Sequence, residues 1–75
     1  MRAANLATSK RLQRVLIALL DYKKHSTRDI IRRAKVCAVN SCISELRRDP
    51  LLVEQNLSIE CTRKNGLFFY QLVQA

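Results

Sequence analysis

Ser58-Ile59-Glu60-Cys61-Thr62-Arg63-Lys64-Asn65-Gly66-Leu67-Phe68-Phe69-Tyr70-Gln71-Leu72-Val73 decides the fold class. Two stretches rich in β-branched and aromatic residues flank Asn65-Gly66, the dipeptide best suited to a type I′ turn, whose two central residues both need positive φ. A two-residue loop fixes the register. Ile59 and Cys61 then face Leu72 and Tyr70 on one side of the hairpin, Phe69 lies on the other, and Arg63 and Lys64 sit at the tip. A lone hairpin is marginal in water, so its apolar face needs a cover. The preceding residues supply one with a different period.

Immediately upstream, Val39, Cys42, Ile43 and Leu46 recur at helical spacing, which predicts a helix from Cys37 or Ala38 to about Arg48. Asp49-Pro50 stops it, because proline disfavours the helical conformation at the residue before it. Residues 51–57 are ambiguous: Asp49 is placed to cap a further short turn with Pro50 in first position, and Leu51, Leu52 and Val53 are apolar enough to close the core. Ser26-Thr27-Arg28-Asp29 has capping-box spacing and predicts a short helix with Thr27, Ile30, Ile31 and Ala34 inward and Arg28, Arg32 and Arg33 outward. Before it, a helix over about 9–22 starts at Ser9 and carries Leu12, Val15, Leu16 and Leu19 on one face. Ile17 falls on the flank of its polar side, where partial cover by a neighbouring segment is expected and a self-association surface is the alternative. Residues 1–8 are expected to form a flexible N-terminal arm and 9–75 the domain.

The chain of 75 residues is 48% apolar and 27% charged with one glycine and one proline, a composition for one globular domain without linkers. A body this small has no room for a catalytic lobe. The three cysteines form no C-x-x-C pair, which points to a reducing cytoplasm, and neither a secretory apolar segment nor a membrane span is expected. Fourteen Lys and Arg against six Asp and Glu leave +8, in clusters at Lys10, Arg11, Arg14; Lys23, Lys24; Arg28, Arg32, Arg33, Lys35; Arg47, Arg48; and Arg63, Lys64. Such a field attracts polyanions, nucleic acid foremost. Catalysis and cofactors are not expected. His25 is the sole histidine, no glycine-rich phosphate loop exists, and the cysteine spacing matches no zinc finger.

Helix, short helix, three-residue turn, helix and basic-tipped hairpin, with Ile43-Ser44-Glu45-Leu46-Arg47 and Tyr70-Gln71-Leu72 in that order, resembles the small winged helix-turn-helix proteins of phages and mobile elements. The resemblance covers about 9–73 and implies an α+β fold of three helices followed by a two-stranded wing. Lys35 stands where such turns often have glycine. What the resemblance implies for function is sequence-specific binding of double-stranded DNA by a transcriptional regulator or recombination accessory factor. The recognition helix, about 37–48, would enter the major groove, the wing tip would meet the backbone, and a homodimer or cooperative oligomer would form on DNA. The implied DNA-facing residues are Arg28, Lys35, Cys37, Ala38, Asn40, Ser41, Ser44, Glu45, Arg47, Arg48 and, at the tip, Arg63, Lys64 and Asn65. In such a groove Asn pairs with adenine, Ser meets either base class and Glu accepts from cytosine. The alternatives are a winged-helix protein-interaction module and an RNA or single-strand binder, the latter suggested by an outward Phe69.

Overall fold

In the computed structural model, which describes residues 6–75, the hairpin forms as the sequence predicts. Strands β2 (Leu57–Lys64) and β3 (Leu67–Gln74) pair antiparallel with Ile59 opposite Leu72 and Cys61 opposite Tyr70. Asn65 and Gly66 both take positive φ, 52° and 78°. A third strand, β1 (His25–Ser26), pairs with Tyr70 and Phe69, giving the sheet order β1-β3-β2.

Helices α1 (Lys10–Leu19), α2 (Thr27–Ala34), α3 (Val39–Arg47) and α4 (Pro50–Glu54) cover one face of that sheet. Local chemistry sets their ends. Ser9 and Ser26 accept hydrogen bonds from the Leu12 and Asp29 amides. Asp49 caps α4 through the Leu51 amide, with Pro50 as the first helical residue. Lys35 ends α2 in the left-handed conformation at φ 55°, the position that glycine would occupy without strain. The result is a winged helix-turn-helix-like topology with a fourth helix and a third strand added to the expected plan.

The core joins Leu12, Val15 and Leu19 of α1, Ile30 and Ala34 of α2 and all four inward residues expected of α3 to Leu52, Ile59, Tyr70 and Leu72. Four expectations about facing need correction. Of Leu51, Leu52 and Val53, expected to close the core, only Leu52 is buried, while Leu51 and Val53 of the short α4 face solvent. Ile17 is 65% exposed, so among the described residues it lacks the expected half cover and only lines a shallow hollow that Arg33 of α2 shares. Ile31 points outward at 39% exposure, since α2 is short and buries only Ile30 and Ala34 fully. Cys61 keeps its register opposite Tyr70 yet is exposed, because β2 runs past the helices beyond Ile59.

The packed body also reaches further towards the N-terminus than Ser9. Leu6 is buried, and its amide donates to the Asp49 carboxylate at 2.7 Å. The rest of the expected arm, residues 1–5, lies outside the described residues. Among the described residues no helix is long and apolar enough to cross a membrane.

Candidate nucleic-acid interface

Burying Val39, Cys42, Ile43 and Leu46 turns Asn40, Ser41, Ser44 and Arg48 of the α3 segment to solvent. Asn40, Ser41, Ser44, Glu45 and Arg48 line one shallow hollow. A second hollow, between α3 and the wing, shares Asn40 and Ser44 with it and adds Ile43, Arg47, Cys61, Phe68 and Tyr70. A third shares Phe68 and runs on between the wing and the start of α2, past Gly66 and Leu67 to Ser26, Thr27 and Arg28. The three adjoin through Asn40, Ser44 and Phe68, making a run of hollows from Arg48 to Arg28. Short side chains on α3 let a ligand approach its backbone there.

The expected site residues divide by what holds them. Cys37 and Ala38 are exposed ahead of α3, with Ala38 as its N-cap without a side-chain bond, so the helix begins later than the expected span. Lys35 projects from the left-handed turn between α2 and α3. Lys64 and Asn65 stand exposed at the wing tip, and the Arg63 guanidinium lies 5.7 Å from the Phe68 ring centroid. Glu45 is committed to Arg11 of α1 at 3.2 Å, and so braces α1 against α3. Arg47 donates through Nε and Nη2 to the Ile59 carbonyl at 3.1 and 3.0 Å, which ties α3 to β2. Asn40 accepts through Oδ1 from the Tyr70 hydroxyl at 2.7 Å.

Tyr70 is the residue that sequence reading left as packing. Burial pushes its phenol above the ordinary range, against a lowering by the Thr27 hydroxyl, and the Cys61 thiol adjoins the same oxygen. One phenol thus touches α2, α3 and β2. Phe68, not Phe69, is the exposed aromatic of the wing, while Phe69 is half-buried opposite Ser26 and Thr62. Neither feature has a local signal, since each depends on where the hairpin lies across the helices.

Behind this surface, His25 is buried between two carboxylates. Its Nε2 lies 2.9 Å from both Asp21 oxygens and its Nδ1 meets Asp29, which also accepts from Arg33 at 3.0 Å. Desolvation works against a charged ring, but the hydrogen bonds from Asp21 and Asp29 outweigh it and hold the His25 pKa above its ordinary 6.5. Both carboxyls are correspondingly lowered, chiefly by their bonds to His25. The trio closes the corner between the end of α1 and the start of α2. Asp21-x3-His25-x3-Asp29 was readable as a spacing, yet two of its members flank a helix boundary, which hides the pattern.

Burial likewise pushes the Cys42 thiol up, while Cys37 and Cys61 are exposed free thiols. Among the described residues no group of three or more His, Cys, Asp or Glu side chains is placed to hold a metal ion. Comparison of the chain with protein-family models, with curated proteins and with solved structures returned no match.

Proposed function

We propose that this chain is a sequence-specific double-stranded DNA-binding protein, a transcriptional regulator or recombination accessory factor of phage or mobile-element type. It acts in the cytoplasm without catalysis. In this reading α3 enters the major groove with Asn40, Ser41 and Ser44 towards base edges, and Arg48 and Lys35 reach flanking phosphates. Arg28, Arg63, Lys64 and Asn65 engage the backbone beside the wing.

The observation that carries the reading is the run of adjoining hollows along α3, the wing and the α2 N-terminus, polar along the helix and lined by Arg28 and Arg48, with Arg63 beside Phe68, in a chain of net charge +8. Phosphate contacts orient such a module and base contacts give it sequence preference. A single domain makes a modest interface, so two copies on a repeated or palindromic site supply useful affinity.

Selection of binding sites from random duplex DNA, with single-stranded DNA and RNA as competitors, tests this. An enriched duplex motif supports it, and none favours a protein-interaction module. Preferential capture by single strands favours a second reading, in which exposed Phe68 with Arg63 over its ring serves as a stacking platform.

A further inference from the structure

Asn40, the second residue of α3, is with Ser44 one of the two side chains shared by the two hollows along that helix. A free asparagine in a major groove reads adenine by turning both amide atoms to the base, Oδ1 accepting from N6 and Nδ2 donating to N7. Here Oδ1 is turned inward instead, onto the hydroxyl of Tyr70 at 2.7 Å. That phenol is not free to follow. Tyr70 is 5% exposed, and its backbone is paired on both sides, to His25 and to Cys61. With the carbonyl held against a buried partner, the amide presents its NH2 group to the open surface. A group that turns two hydrogens outward and its acceptor inward fits the guanine edge, where O6 and N7 are adjacent acceptors, better than the adenine edge, whose N6 donor needs an outward acceptor.

We infer that Tyr70 is a positioning residue that fixes Asn40 as an outward amide donor, so that α3 selects a G·C pair rather than an A·T pair at the base Asn40 meets. The inference rests on the reading of α3 as the major-groove element. It also couples the wing to base choice, because the residue that sets the amide belongs to β3 and not to the helix.

The test compares wild type, Asn40→Ala and Tyr70→Phe by duplex site selection, followed by competition titrations on duplexes that differ only at the pair Asn40→Ala relaxes. Wild type should favour G·C over A·T there by about tenfold, within the range of one good base contact. Tyr70→Phe keeps the ring and frees Oδ1, so the preference at that pair should collapse or turn to A·T while every other position and non-specific affinity stay unchanged.

An A·T preference in wild type overturns the inference, as does an unaltered preference in folded Tyr70→Phe, or an Asn40→Ala variant that relaxes no pair. Should Tyr70→Phe not fold, the wild-type base at the Asn40-dependent pair decides alone. Absence of any enriched duplex motif defeats the DNA reading itself, and the inference with it; a motif with A·T at that pair defeats the inference only.

Discussion

Raising the pH from 6 to 9 should destabilise this fold chiefly through one residue, His25. Both ring nitrogens face carboxylate oxygens, Nε2 towards Asp21 and Nδ1 towards Asp29, so only the imidazolium donates on both sides. The neutral ring keeps one N–H and sets a lone pair against the other carboxylate. One charge-assisted hydrogen bond is therefore lost on deprotonation, about 1.5–3 kcal/mol if dry, reduced to about 1–2 kcal/mol because water reaches the partly exposed aspartates.

The direction follows from linkage. The folded His25 pKa is raised, so its stabilisation is complete below the unfolded value near 6.5 and disappears as pH climbs through the folded one. The lowered carboxyls act oppositely, contributing above their ordinary range and losing that contribution as pH falls through their folded values. Stability should peak in the mildly acidic window between the two. The Lys23 amide also donates to Asp21, and the Arg33 guanidinium to Asp29.

Urea unfolding at pH 6, 7, 8 and 9 measures the effect, with thermal midpoints expected to fall by about 5–15 °C for a domain of this size. His25→Gln, which carries no titratable ring, should be flat from pH 6 to 8; at pH 9 both proteins also lose a little stability, because burial holds the Cys42 thiol neutral in the fold while it ionises on unfolding. Equal slopes in both proteins would refute the argument.

Three further outcomes are expected. Cys42→Ser places a hydroxyl at a site with no exposure and should cost about 1–2 kcal/mol in urea unfolding, less if it bonds back to Ala38, whereas exposed Ser41→Ala should change stability by under about 0.5 kcal/mol. The reverse result would mean that α3 is rotated. Asp49→Ala removes the α4 cap and the acceptor of the Leu6 amide together, a loss of about 2–4 kcal/mol by the same assay; a loss below about 1 kcal/mol would show that neither bond matters to the fold. Arg63→Ala and Lys64→Ala should weaken duplex binding alike on all sequences and lessen the slope of log K against log salt, about −4 to −5 for the whole interface, by about one each. A changed base preference would place the wing in a groove instead.

Local periodicity carried the sequence reading as far as the three main helices, the hairpin and most of their facing, and failed at the two-residue β1 and where facing depends on distant cover. Asn65-Gly66 specified its turn and, through it, the whole β2–β3 register, because both φ requirements are local. The α3 stripe was legible for the same reason, since a helix between two covers has one inner face. Ile31 misled because α2 is too short for its stripe to lie wholly under α1, and Ile17 because nothing in a wheel says whether a neighbour exists.

Half of the Ser26 capping box held. The hydroxyl accepts from Asp29, but the Asp29 carboxylate goes to His25 and Arg33, charged partners that outcompete a backbone amide. In the site, the exposed residues of α3 were legible, whereas the bonds of Arg47 to Ile59 and of Asn40 to Tyr70 join elements far apart in sequence and leave no mark in it.

The commitments of the arginines separate two properties that net charge lumps together. Arg11, Arg14, Arg33 and Arg47 donate to Glu45, the Ala34 carbonyl, Asp29 and the Ile59 carbonyl, so they act as internal struts. A hydrogen bond to a carbonyl leaves the charge of Arg14 and Arg47 in the far field. Steering of a polyanion towards the surface therefore draws on these residues as fully as on Arg28 or Lys64, and it sets the encounter rate. Residence time depends instead on short contacts, and a strut must let go of its partner to make one. Under the proposed DNA-binding function, encounter with the anionic partner is therefore fast, and persistence rests on the few side chains that would read shape and base.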